Sequence, residues 1–223
     1  VNWIFREAIQ RAFYGDDGAA DPRYGGGVGL GGGVIESHYP EPNAKSIPRN
    51  TNIYVTFKEP MKLDTIASSS GCTGTNPKTC PIITNNIRLH NTTEAETINV
   101  TDMTVTFDPA DLTVFEFNPY GLSTSDTYLL GEQSRDIKYK MSLVNLRTDT
   151  NRQAFNFGSY SWFFTVGTYS DNTPPRVVSV RPKEGTTSSR NTIVQINFSE
   201  AINPTLATGI VPGYDNIKIA YQD

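Results

Sequence analysis

Along most of this chain apolar and polar residues alternate with a period of two. Ile53, Val55 and Phe57 fall on one side and Tyr54 and Thr56 on the other, the pattern of a strand with one face in a core and one face turned to solvent or a partner. Further strands are read at Asn86–His90, Thr104–Phe107, Thr113–Asn118, Ile137–Val144 and Ser159–Val166. Short strands at such intervals, separated by turn residues, predict a β-sandwich. In the last of them Trp162, Phe164 and Val166 alternate and are expected to seal the core.

The period changes only near the start. In NWIFREAIQRAFY the residues Ile4, Phe5, Ala8, Ile9, Ala12 and Phe13 recur at helical spacing, predicting a short amphipathic helix with one apolar stripe. A free helix of this length is marginal in water and needs something to pack on. It is read either as docked on its own domain or as the end of a longer upstream helix. The other reading is an assembly contact, through Trp3, Ile4, Phe5, Ile9 and Phe13, with neighbouring subunits or the membrane interface. Seven of the nine residues from Gly25 to Gly33 are glycine, which predicts a flexible tether. No Gly-Lys-Ser/Thr follows, so phosphate binding there is not expected.

The strand pattern then occurs twice. IESHYPEPNAKSIPRNTNIYVTFKEPM from Ile35 and VVSVRPKEGTTSSRNTIVQINFSEAI from Val177 share a strand, a proline, a polar turn, a second strand and a Phe-x-Glu ending. Pro40 matches Pro182, Asn50 matches Asn191, Phe57 matches Phe198 and Glu59 matches Glu200. NIRL at Asn86 returns as NIKI at Asn216. Recurrence on this scale predicts tandem domains. The chain divides into a helix and polar segment at 1–24, a glycine linker at 25–33, a first sandwich at 34–168, a proline linker at 169–175 and the first half of a second sandwich at 176–223. Pro174 and Pro175 make that last linker short and semi-rigid. A second sandwich present only by half would expose strand edges and an open core.

At these residues the chain resembles the bacterial Ig-like domains of the SbsA type, found in surface-layer proteins, adhesins and other exported multidomain proteins. The resemblance rests on PPRVVSVRP, on the strand ending in Phe-Ser-Glu, and on YSWFFTVGTYSDNTPP, and covers about Val34 to the C-terminus. It departs at Lys58-Glu59-Pro60, where the second unit has Ser199-Glu200-Ala201, and at the longer LLGEQSRDIKYKMS. What it implies is an all-β chain of tandem Ig-like sandwiches, the second incomplete, behind the helix and tether.

Composition narrows the function further. The net charge is −4, from 23 acidic and 19 basic residues, with no Lys/Arg cluster dense enough to attract phosphates, so nucleic acid is not an expected partner. No run approaches the roughly 18 apolar residues that span a bilayer, and membrane contact is expected only through the N-terminal helix. The chain starts at Val1 and stops inside the second repeat, and so reads as a processed or partial product.

Two cysteines, Cys72 and Cys80, bracket a polar stretch containing Gly74, Asn76 and Pro77. A disulfide is expected there, which suits an oxidising compartment, against the alternative of two reduced thiols. A zinc site would need further ligands, and His38 and His90 are not at finger-like spacing.

No catalytic set is found: neither histidine accompanies a Gly-x-Ser-x-Gly turn. The carboxylates Asp108, Asp111, Glu116 and Asp126 read as caps or solvated side chains rather than a glycosidase pair. No enzyme activity and no required cofactor are predicted. Calcium is the one ion retained, with Asp171, Asn172 and Glu200 as contributors at the junction, against a solvated acidic linker. Asn91, Asn99 and Asn197 head Asn-x-Ser/Thr triplets and are candidate glycan acceptors in an exported protein.

The function expected is that of an exported, cell-surface structural subunit of a surface layer, stalk or extracellular filament. It would self-associate with identical subunits or further Ig-like domains, and a neighbour's strand could complete the second domain. The alternative is an adhesin or carbohydrate- or protein-binding accessory module, with Tyr39, Tyr54 and Tyr160 as solvent-facing stacking surfaces.

Overall fold

The computed structural model describes residues 33–93, 98–99, 102–122, 129–189, 191–200 and 202. The predicted helix with Trp3, Ile4, Phe5, Ile9 and Phe13, nearly all of the glycine tether, and the NIKI repeat at Asn216 lie outside the described residues. The chain divides into two compact units, with the boundary between Asp171 and Asn172.

Among the described residues the first unit holds nine strands. They are β1 (Ile35–Tyr39), β2 (Ile53–Phe57), β3 (Lys78–Pro81), β4 (Ile87–Asn91), β5 (Ile98–Asn99), β6 (Thr104–Asp108), β7 (Asp111–Asn118), β8 (Ile137–Val144) and β9 (Ser159–Val166). They form a five-stranded sheet in the order β1-β2-β7-β6-β3 and a four-stranded sheet in the order β5-β4-β8-β9. Each pairing between these strands is antiparallel. A 3-10 turn spans Leu63–Thr65.

Alternation places the core. Along β8 the residues Ile137, Tyr139, Met141 and Leu143 are buried, and they pair with Val166, Phe164, Trp162 and Tyr160 of β9. Across from them stand Ile53, Val55 and Phe57 of β2, Phe115 and Phe117 of β7, and Val105 and Phe107 of β6, all in one apolar cluster. Phe57 meets Phe115 edge-on, and Tyr139 stacks on Phe164. Such aromatic pairs add to the area they bury. The outer face is not wholly open, since Thr56 and its cross-strand partner Val114 are also buried.

Two strands depart from the sequence expectation. Lys78–Pro81 carries a proline and no apolar alternation, yet it forms the edge strand β3 beside β6, where a missing N–H is tolerated. The two residues of β5 are too few for any periodicity to register.

The second unit contains a hairpin of β10 (Val177–Arg181) and β11 (Gln195–Phe198). Its register repeats that of β1 and β2. Ile35 faces Phe57, Ser37 faces Thr56, His38 faces Val55 and Tyr39 faces Tyr54; Val177 faces Phe198, Ser179 faces Asn197, Val180 faces Ile196 and Arg181 faces Gln195. Both first strands carry a bulge at the same place, between Ile35 and Ser37 and between Val177 and Ser179. The peptide bond that follows is cis in both, at Tyr39-Pro40 and Arg181-Pro182. Beyond the hairpin the same backbone bond recurs, from the Lys58 N–H to the Val34 carbonyl at 3.0 Å and from the Ser199 N–H to the Arg176 carbonyl at 2.8 Å.

Candidate interaction surface

Equal register does not bring equal burial. Ile35 is 1% exposed, whereas Val177 at the matching position is 56% exposed. His38 is 4% exposed and its counterpart Val180 is 42% exposed. Val178 and Ile193 are also exposed, while Ile196 and Phe198 are half-buried. In the first unit β2 is paired on both sides, by β1 and β7; among the described residues β11 is paired only by β10. Among the described residues the hairpin therefore carries a core face and a strand edge of the same design as β2, with neither occupied as β2's are. An apolar face rimmed by polar residues is the usual character of a contact surface.

The cysteine loop is built onto the edge of the large sheet. Cys72 and Cys80 are joined in a disulfide. Cys80 lies within β3, opposite Val105, and the stretch before it folds back through paired backbone bonds between Thr73 and Thr79. Gly74 takes φ +72°, and an added Cβ would stand 2.7 Å from the Pro77 carbonyl oxygen. Only glycine suits that turn. Thr79 and Thr106 share a hydroxyl hydrogen bond of 2.8 Å across the strands, so the loop is anchored rather than appended.

His38 sits between the two sheets. Its ring stacks on Trp162 at 4.0 Å between centroids. Because the Pro40 carbonyl can only accept, Nδ1–H is the donor at 2.9 Å, which leaves Nε2 to accept the Tyr160 hydroxyl at 2.8 Å. Burial lowers its pKa to about 4, against the opposing pull of the Pro40 bond. The imidazole is thus neutral at pH 7, its tautomer set and both nitrogens engaged. Tyr160, expected to face solvent, is half-buried and turned to this cluster. Tyr39 and Tyr54 are half-buried as well, with the Tyr54 hydroxyl donating to Glu116 at 3.4 Å. Burial, followed by the Glu116 charge, raises the Tyr54 pKa. His90 has its pKa lowered by burial and then by Arg88 and Lys140.

The sequence matches the bacterial Ig-like domain family over residues 33–130 and again over 171–214. The chain belongs to that family. Both matches begin within a few residues of the two hairpins described above, so the internal repeat is a repeat of the Ig-like domain. No curated protein sequence matches the chain significantly. Among solved structures, similar chains include surface layer protein SbsC, domains 1–6, at 14% identity and a TM-score of 0.34 over 66% of this chain. The N-terminal part of the bacterial S-layer protein SbsC aligns with the same identity, TM-score and coverage. The chain spans only 15% and 25% of the length of those two structures.

The remaining candidate residues occupy separate places in the Ig-like units. Asp171 closes the first unit, while Asn172 and Glu200 belong to the second. Among the described residues no group of three or more His, Cys, Asp or Glu side chains converges as a metal site. Asn91 is buried, and its Oδ1 accepts the Thr93 N–H at 2.9 Å. Asn99 lies in β5. Asn197 is half-buried in β11; its amide donates to the Ser179 hydroxyl at 2.7 Å and its Oδ1 accepts from Gln195 at 3.0 Å.

Sequence reasoning missed the role of Asn50. Its side-chain amide donates to the Asp171 carbonyl at 2.6 Å and its Oδ1 accepts the Asp171 N–H at 3.0 Å. The recurrence of Asn50 at Asn191 was the available signal; its partner lies 121 residues away.

Proposed function

We propose that this chain is an exported, non-catalytic structural subunit of a cell-surface assembly, a surface layer, stalk or extracellular filament, built from Ig-like units in series. The observation that carries the reading is the twice-built hairpin. One copy is closed into a sandwich, and the other presents the same apolar positions and one strand edge. A strand running antiparallel to β11, as β7 runs beside β2, would complete the second unit by β-augmentation. We assign that strand to an identical subunit or a further Ig-like domain.

The disulfide on the edge strand supports an oxidising, extracellular setting. His38 supports a structural reading, since both its ring nitrogens are committed to hydrogen-bond partners. Calcium at the junction and glycans on Asn197 would be accessories to this role. The predicted N-terminal helix would act as a contact between subunits. Immunogold labelling of intact producing cells, with antibody raised to the first unit, tests the reading. Label in ordered patches on the outside is expected; label confined to the cell interior would overturn it.

A further inference from the structure

A charged cluster that is invisible along the chain forms on the outer face of the four-stranded sheet. Arg88 and His90 of β4 are far in sequence from Lys138 and Lys140 of β8, and strand pairing sets Arg88 opposite Ser142 and His90 opposite Lys140. All four alternate with buried residues of their strands, so they share the face turned away from the core. On β9 the same face carries Ser161, Phe163 and Thr165, with Phe163 opposite Lys140. None of the three strands contains an aspartate or glutamate.

The partners these cations do have are neutral. The Phe163 ring lies under both lysines, with Lys138 Nζ 4.7 Å and Lys140 Nζ 5.7 Å from its centroid. A ring face attracts an ammonium without cancelling its charge. Arg88 donates from Nε at 3.2 Å and from Nη2 at 3.0 Å to the Asn85 carbonyl. Ion pairs of the unit lie elsewhere, at Lys62–Asp64, Arg135–Glu132 and Arg152–Glu59; among the described residues Arg88, Lys138 and Lys140 have none. Burial, then the Arg88 and Lys140 charges, lower the His90 pKa with no carboxylate pulling the other way. Like charges on neighbouring strands cost stability. In a chain of net charge −4, this face is a local excess of positive charge that selects an anion.

Spacing narrows the anion to a class. Lys138 and Lys140 stand two residues apart on one strand, about 7 Å, and Arg88 is the diagonal neighbour of Lys140, about 7–8 Å away. Three fixed charges therefore run in a line across β4 and β8, too widely spaced for one small anion to bridge. A chain with one negative charge per repeat fits them. Beside the line stand the hydroxyls of Ser161 and Thr165, and the Phe163 ring is already covered by the two ammonium groups. Those surroundings suit a hydroxyl-rich chain better than a peptide, whose anchoring side chains need apolar pockets.

We propose that the outer face of β4, β8 and β9 binds a linear acidic polysaccharide, its carboxylates seated on Arg88, Lys140 and Lys138. The face is independent of the assembly reading above, since neither uses the other's residues.

Native affinity electrophoresis of the full-length chain tests it, with polygalacturonate as the probe in the gel. Retardation at low salt is expected, with none in neutral dextran and a loss of about tenfold or more in affinity as salt rises from about 50 to about 500 mM. The double variant Lys138→Gln, Lys140→Gln should bind about tenfold more weakly with an unchanged urea midpoint, while Lys62→Gln, away from this face, should bind as the parent does. No retardation in polygalacturonate, or retardation equal in parent and double variant, would overturn the proposal and leave the surface-assembly role standing. Equal retardation by polyphosphate or poly-glutamate would overturn the assignment to a polysaccharide.

Discussion

A histidine with a pKa of about 4 in the folded chain and near 6.5 when unfolded makes stability depend on pH in a fixed direction. Between those values the unfolded chain holds more protons than the folded one, so stability is complete above about pH 6.5 and falls as the pH drops toward 4. For His38 the full loss is about 3 kcal/mol. Replacing it with the residue that stands at the matching position of the second hairpin, His38→Val, should flatten that part of the profile, whatever it does at pH 7. Urea unfolding of both proteins at pH 7 and pH 4.5 checks this. The Cys72–Cys80 bridge closes a short loop, and its reduction should cost about 2–3 kcal/mol by the loop-entropy relation, read as a lower urea midpoint for the first unit in reductant. Neither aromatic partner of His38 was legible in the sequence. Tyr160 lies 122 residues away, and nothing local marks a histidine on an alternating strand as one that will stack on a tryptophan of the opposite sheet.

At the scale of elements, legibility followed periodicity. β8 and β9 were read to the residue because Ile137, Tyr139, Met141 and Leu143 alternate cleanly with Lys138, Lys140 and Ser142, and a register fixed by one buried face leaves little choice. β3 was not read, because Lys78, Thr79, Cys80 and Pro81 carry no such pattern; its position comes from pairing with β6 and from the disulfide. The two hairpins show what the period cannot supply. β2 and β11 share register and spacing, yet Phe57 is fully buried and Phe198 only partly so, since burial depends on strands that arrive from elsewhere. Phe57→Ala should therefore destabilise the first unit by about 3–5 kcal/mol. Phe198→Ala should cost the second about 1 kcal/mol or less. Hydrogen exchange of the β2 and β11 amides in the full-length chain reads the two units separately.

For the whole molecule, the repeat in the sequence became a repeat in three dimensions: the same bulge and the same register in both hairpins. The Ig-like family match falls on both copies of that repeat, and with it comes the idea of units joined in a row. Among the described residues, no strand flanks β11 on the side where β7 flanks β2. Isolated β11 amides should exchange quickly, because among the described residues they have no partner like the one that β7 gives to β2. In the assembled state the same amides should be protected by an added strand.

Electron microscopy of the native, undenatured material tests the account most directly. The account predicts an ordered array on the cell surface, with subunits in regular contact and density for a strand antiparallel to β11 completing the second Ig-like unit. Isolated particles without repeating contacts, with Val177, Val180 and Ile193 still open to solvent, would contradict it.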